Sequence, residues 1–320
     1  MILRRLGKVF DPADHTLPPG CKEFAQSPQT LHFDAFTRVY FSTRSTDPGG
    51  ATFRSHMAFA DMTPDFATVL RVSAHTVLPL GALGTFDEHG IFPMNVIREG
   101  GQIWGYTCGW NRRKSVSVDT AVGFVVSDDQ GETFGRLGPG PILGPSLNEP
   151  FLVGDAFVLK AMGGFHMWYM FGQRWVTENA HSAPDRVYKI GHATSPDGLN
   201  WAKQDGVQIL PDRLGPDECQ ALPSVIQWSG RYHMVFCYRD VHGFRTDPAK
   251  GYRIGYAHSR DLQRWTRDDA ALGLTGQAGD WDGEMQCYPH LTISGGRPYM
   301  LYNGNAFGWR GFGAVELSLG

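Results

Sequence analysis

Short apolar runs alternate with turn residues along the whole chain, and the runs recur at a fixed interval. Each run is five to seven residues long, rich in β-branched and aromatic types, and bounded by Gly, Asp and Pro, which is the signature of strands. Such a strand follows a proline at Pro28 (SPQTLHF), Pro93 (FPMNVI), Pro223 (LPSVIQW) and Pro289 (YPHLTI), and a fifth copy has Ala156 in that place (DAFVLKA). The spacings are 65, 63, 67 and 66 residues, and a repeat of this kind decides the architecture. Each unit continues with an aromatic-rich second strand (38–44, 102–108, 165–170, 231–237, 298–302) and a third (56–60, 121–126, 188–193, 252–257, 313–317). A turn and a fourth strand follow in the first four units.

Four strands per unit and five units predict an all-β fold, a five-bladed β-propeller with four-stranded antiparallel blades, forming one domain over residues 1–320. The fifth unit stops after its third strand. Residues 3–12 read like the fourth-strand segment 201–211, so the N-terminal strand is expected to close the ring and remove the open sheet edges. A solenoid is the rival architecture, but its repeats are usually shorter. No stretch is long and periodic enough for a sizeable helix.

Composition supports this reading. Gly 40, Pro 20 and 12% aromatics suit many short strands joined by turns. The net charge is −3 and no basic tract occurs, so nucleic acid is not an expected partner. No run approaches the roughly 18 apolar residues of a membrane span, and the N-terminus does not read as a secretory signal, so a cytoplasmic protein is expected. The five cysteines (21, 108, 219, 237, 287) form no C-x-x-C pair and read as buried reduced thiols. No nucleotide-binding motif is present, and no cofactor and no metal are expected. His89 and His290, near strand starts, read as hydrogen-bonding pocket residues.

The turn Ser127-Asp-Asp-Gln-Gly-Glu-Thr-Phe134 fits the Asp-box pattern, and 195–201 and 259–265 are shorter relatives. Here an Asp side chain bonds turn N–H groups and Gly supplies positive φ, a structural device.

In a propeller, residues just before the first strand and just after the second converge on one mouth of the central funnel. Five residues before the repeat proline stand Glu23, Glu88, Glu218 and Glu284; the third unit carries Glu149 and Asp155 instead, and Asp87, Asp217 and Asp282 lie close by. Crowded carboxylates repel one another, so that one stays protonated as an acid while another is ionised. A repeated Glu can equally be a blade-building residue. After the second strands come Arg44, Arg174 and Arg239, with Trp110, Asn111, Arg112, Asn303 and Asn305. Arginines there either hold the carboxylates in place or bind an anionic substrate group. A tryptophan and asparagines suit a carbohydrate, so Glu88, His89, Trp110, Glu149, Arg44, Arg174, Arg239, Glu284 and Asn303 are the candidate substrate-binding residues.

At these residues the sequence resembles the five-bladed propeller glycosidases, the superfamily of invertase-like and arabinanase-like glycoside hydrolases. The resemblance covers nearly the whole chain as a blade pattern; its specific motifs are short. Asp155-Ala-Phe-Val resembles their Asp-Pro motif with the proline replaced, and Glu218-Cys219 resembles their Glu-Cys motif. The resemblance implies a glycosidase with Glu218 as general acid, Asp155 as the residue that tunes it, and Asp87 as base or nucleophile. Ser27-Pro28 stands where the family has its first-blade Asp-Pro, which marks a divergent member. The alternatives are a non-hydrolytic propeller that binds a glycan in polysaccharide metabolism and a protein-interaction propeller.

Overall fold

The computed structural model describes residues 1–50 and 52–318. Twenty strands and only single turns of helix are found among them. The chain opens with β1 (Ile2–Phe10), β2 (Cys21–His32), β3 (Thr37–Thr46), β4 (Phe53–Met62) and β5 (Val69–Val72). Next come β6 (Gly90–Glu99), β7 (Gln102–Arg112), β8 (Val118–Ser127) and β9 (Gly135–Arg136). The same rhythm gives β10 (Val153–Ala161), β11 (Gly164–Val176), β12 (Asp185–Ser195) and β13 (Ala202–Lys203). It gives again β14 (Cys219–Trp228), β15 (Arg231–Arg239), β16 (Arg253–Ser259) and β17 (Thr266–Arg267). The chain ends with β18 (Cys287–Ser294), β19 (Arg297–Asn303) and β20 (Phe312–Ser318).

Strands β10 to β13 and β14 to β17 form two four-stranded antiparallel sheets in chain order. A third sheet has the order β1-β20-β19-β18, with β1 antiparallel to β20, so both ends of the chain share one sheet. The remaining strands, β2 to β5 and β6 to β9, are joined by a single parallel bridge between Ser55 and Gly90. The first strand of each unit touches that of the next, β2 on β6, β6 on β10, β10 on β14 and β14 on β18, and β18 touches β2. Apolar residues between successive sheets form separate core layers, such as Val39, Phe41, Ala58, Phe66, Tyr299 and Phe312 in one of them. The Asp-box turns are closed by their own side chains: Ser127 Oγ donates to Asp129 (2.7 Å) and accepts from Gly131 N–H (2.8 Å). Ser195–Asp197 and Ser259–Asp261 repeat this arrangement.

The repeat proline has a structural counterpart. Besides two further slips between β2 and β3, the register between the first and second strands slips once in every unit, so that two residues oppose one. These β-bulges contain Ser27-Pro28, Phe92-Pro93, Asp155-Ala156, Leu222-Pro223 and Tyr288-Pro289. Proline tolerates such a place because a bulge residue makes no ladder hydrogen bond. Ser27, Asp155, Leu222 and Tyr288 adopt positive φ of 53°, 53°, 52° and 55°, whereas Phe92 precedes a cis proline. The left-handed conformation costs a non-glycine residue about 1–2 kcal/mol, so surrounding packing must hold each bulge.

Candidate functional site

Four of the five leading bulge residues, Phe92, Asp155, Leu222 and Tyr288, line one cavity of about 1040 Å³. Loops complete its wall. Phe244, Arg245 and Asp247 come from the β15–β16 connection, Glu284 from the segment before β18, and Phe307 and Trp309 from the β19–β20 connection. The floor is aromatic. Tyr288 packs edge-on against Phe92 and Tyr252 (centroids 5.1 and 5.6 Å), and Tyr252 against Phe307 (6.1 Å). The hydroxyls of Tyr188 and Tyr252 are 2.6 Å apart. Such a lining offers flat apolar faces with a few polar groups between them.

Asp155 is the one buried carboxylate among the cavity's lining residues; Asp247 is half-buried and Glu284 exposed. It has no ion pair within 4 Å among the described residues. Burial pushes its carboxyl up to about 7, only partly offset by the Cys108 thiol, the Arg186 charge and the Leu222 N–H. Near neutral pH its carboxyl is therefore shared between protonated and ionised forms.

The other carboxylates expected at the mouth lie elsewhere, and the reason repeats. Arg136 on β9 donates to Asp87 (2.8 Å). Lys203 on β13 donates to Glu149 (2.6 Å), which also accepts from Tyr169 Oη (2.7 Å) and Gly206 N–H (3.0 Å). Arg267 on β17 donates to Glu218 (2.5 Å), and Arg5 on β1 is paired with Asp282. In each of these four sheets a carboxylate ahead of the first strand clamps a cation on the outermost strand. Burial alone would raise the carboxyl of Glu218, but Gln220, the Arg213 N–H and Arg267 hold it below the usual range. Asp87, Glu149 and Glu218 are thus braces and do not line the cavity.

Of the remaining candidates, Arg44, Trp110 and Glu284 line the cavity with Asp155. Glu88 instead accepts from Gly84 N–H and lies 3.3 Å from His89, whose ring stacks behind Trp110 at 5.8 Å. Arg174 is paired with Asp217 and donates to the Pro216 carbonyl (3.0 Å). Asn303 is buried, accepting from Ser27 N–H and donating to the Ala25 and Gly311 carbonyls, each at 2.7 Å. Arg239 lies buried below the floor, stacked on Phe244 at 3.5 Å and donating to Tyr188 Oη (3.1 Å) and to the carbonyls of Asp240 (2.7 Å) and Val241 (3.1 Å).

Sequence reasoning did not find Arg186 and Arg245, which line the cavity from the start of β12 and from the β15–β16 connection. The same holds for Tyr188, Tyr252, Tyr288, Phe244, Phe307 and Trp309. The available signal was the unequal length of the connections between second and third strands, where the long β15–β16 loop carries Phe244 and Arg245. No group of three or more His, Cys, Asp or Glu side chains that could hold a metal ion occurs among the described residues. None of the described helices is long and apolar enough to cross a membrane.

No protein-family model matches the chain. It is 29% identical over 321 residues to an uncharacterized protein of Mycobacterium tuberculosis, with 99% of both chains covered. Among solved structures, one described as a glycoside hydrolase matches with a TM-score of 0.73 at 15% identity, over 99% of this chain and 93% of the other. A thermostable family-43 glycoside hydrolase matches with a TM-score of 0.66 at 15% identity, over 96% and 93%. The β-1,2-mannobiose phosphorylase of Listeria innocua, in complex with β-1,2-mannobiose, gives 0.67 at 13%, over 99% and 97%. At such identities the likeness is one of fold. The chain shares the β-propeller fold of the glycoside hydrolases and is a divergent example of it.

Proposed function

We propose that this chain is a carbohydrate-active five-bladed propeller, one domain over residues 1–320 closed by its N-terminal strand, that cleaves a glycosidic bond with Asp155 as general acid. The unbroken circuit of contacts among β2, β6, β10, β14 and β18, and the pairing of β1 with β20, support the architecture. One observation carries the activity: a buried carboxyl poised at about 7 in the wall of an aromatic cavity of about 1040 Å³. A general acid works best when it holds its proton near the operating pH.

Asp155 gives its proton to the glycosidic oxygen as the bond to the anomeric carbon breaks, and the leaving sugar departs as an alcohol. A water molecule adds to the anomeric carbon. Its proton goes to Glu284, the exposed lining carboxylate, whose side chain has no ion pair or hydrogen bond among the described residues. Asp87 and Glu218, being braced within their sheets, have no part in this chemistry. Activity against a panel of glycosides tests the proposal. Asp155→Asn should lower cleavage of substrates with poor leaving groups by about 10²–10⁴-fold and spare activated ones, and full activity on both would overturn it.

A second reading, a non-hydrolytic glycan-binding propeller, is favoured by the absence of a second buried carboxylate among the lining residues, since glycosidases use a pair. It predicts no turnover on any glycoside and sugar binding that survives Asp155→Asn.

A further inference from the structure

The cavity wall holds three guanidinium groups without a carboxylate partner. Arg44, Arg186 and Arg245 all line it, and none forms an ion pair within 4 Å among the described residues. Arg112, also in the lining, is by contrast paired with Asp47 at 2.9 Å. Arg44 is clamped between Phe24 and Phe53, its guanidinium carbon 3.8 Å from each ring centroid. Its Nε is buried and has no hydrogen-bond partner. Arg245 lies 4.2 Å over Phe244. Arg239 adds a fourth charge below the floor, where its hydrogen bonds among the described residues go to a tyrosine hydroxyl and two backbone carbonyls and no carboxylate pairs with it. Aromatic faces fix these arginines in place but do not neutralise them.

Like charges are costly to gather in a partly desolvated wall. Burial, and after it the charge of Arg245, depress the guanidinium of Arg44 from its ordinary value, only partly offset by Tyr288 and by the charge of Glu23 opposite it on β2; a bound anion would relieve this. Elsewhere in this molecule buried arginines have their counter-charges built in, as Arg38 has Asp61 at 2.7 Å and Arg267 has Glu218. In the cavity, Arg44 and Arg186 are half-buried and Arg245 is exposed, and none of the three has such a counter-charge in contact. A planar guanidinium with free N–H groups matches an oxyanion in bidentate fashion.

We infer that Arg44, Arg186 and Arg245 form an oxyanion site, so that the cavity takes a saccharide together with a phosphate or carboxylate group, carried on the sugar or supplied as a free anion. This inference rests on the reading of the cavity as a carbohydrate site. The aromatic floor receives the sugar faces, the arginines the anion, and Asp155 stands in the same lining.

The test is titration of the full chain at constant ionic strength with inorganic phosphate, glucose 6-phosphate, glucuronate and glucose. Binding is followed by the fluorescence of Trp110 and Trp309, which line the cavity. At least one anionic probe should saturate at a concentration tenfold or more below that for glucose. Arg245→Gln, on an exposed side chain, and Arg44→Gln should each weaken it on the order of tenfold, the value of one charged hydrogen-bonding partner. Phosphate alone binding as well as glucose 6-phosphate identifies a free oxyanion; glucose 6-phosphate or glucuronate binding tenfold better than phosphate identifies a charged sugar. Glucose binding without preference for any anion, or anion binding unchanged in both arginine variants, overturns the inference and leaves the carbohydrate reading intact. Phosphate binding that depends on the arginines, with no saccharide bound and no glycoside cleaved, sinks the carbohydrate reading and leaves the oxyanion site standing.

Discussion

Asp155 and Glu218 lie in neighbouring units and are both buried, at 7% and 1% exposure, yet their surroundings have opposite effects. Glu218 accepts from Arg267, from Gln220, and from the N–H groups of Arg213 and Leu214, all within 3.0 Å. It is held ionised and locks an outer strand to the turn ahead of an inner one. Asp155 has no charged partner in contact and keeps its proton to about neutral pH. Burial alone is therefore a poor guide to chemistry. A carboxylate whose lone pairs are all used is structural, whereas one facing a cavity with capacity to spare can react.

The widest separation between the two should show in turnover. If Asp155 is the acid, Asp155→Asn lowers cleavage of an unactivated glycoside by about 10²–10⁴-fold. Glu218→Gln leaves kcat per folded molecule near the native value, and steady-state kinetics on both variants checks this. Stability should reverse the order. Glu218→Gln strands Arg267 without its full counter-charge and should cost on the order of 3 kcal/mol, since breaking a buried pair is worth about 3–5 kcal/mol, read as a lower urea midpoint at unchanged slope.

The pH dependence sharpens the contrast further. The folded-state value for Asp155 is raised from 3.8 to about 7, so the native state keeps a proton that the unfolded chain releases over that range. Native stability from this group is full below about pH 4 and is lost as pH rises to about 7, by on the order of 2–4 kcal/mol. Asp155→Asn should remove that loss, making the variant more stable than the native chain at pH 8 and nearly equal at pH 4. Equal differences at both pH values would show that Asp155 is not held protonated. Native activity should likewise fall as pH rises through about 7. Glu218 is shifted the other way, so its contribution is present above the ordinary carboxylate range and fades in acid. The smallest effect belongs to Arg174 and Asp217, whose side chains are 37% and 54% exposed. Asp217→Ala should leave the melting temperature unchanged within error, because exposed pairs contribute little.

Much of this architecture was legible from one residue type. The recurring proline marks the second residue of a bulge, a place a strand interior would refuse, and its spacing gives the order of the units. The braces were legible only in half. The acidic sides, Asp87, Glu149, Glu218 and Asp282, stand five to seven residues ahead of Pro93, Ala156, Pro223 and Pro289, among the acidic residues that suggested a ring of carboxylates at one mouth. The basic side lies 49 to 54 residues further on for Asp87, Glu149 and Glu218, on strands of two residues each. Strands that short carry no periodic signal, so nothing in the sequence declared the charges already spent. Of the unpaired arginines, Arg44 stood among the sequence candidates, whereas Arg186 and Arg245 did not, Arg245 for a different reason. Arg245 sits in a loop with no counterpart of equal length in the other units, and a repeat cannot predict what it does not repeat.

The five bulges have a consequence for how such a protein can change. They share one slip of register, with a left-handed residue in four units and a cis proline in the other, but present Ser27, Phe92, Asp155, Leu222 and Tyr288, five unrelated side chains. Four of the five line the cavity, so an exchange at one of them changes the cavity wall wherever the surrounding packing still holds the bulge. A lineage could thus acquire, lose or relocate an acid by a single codon, keeping the scaffold while the reaction moves from one unit to the next.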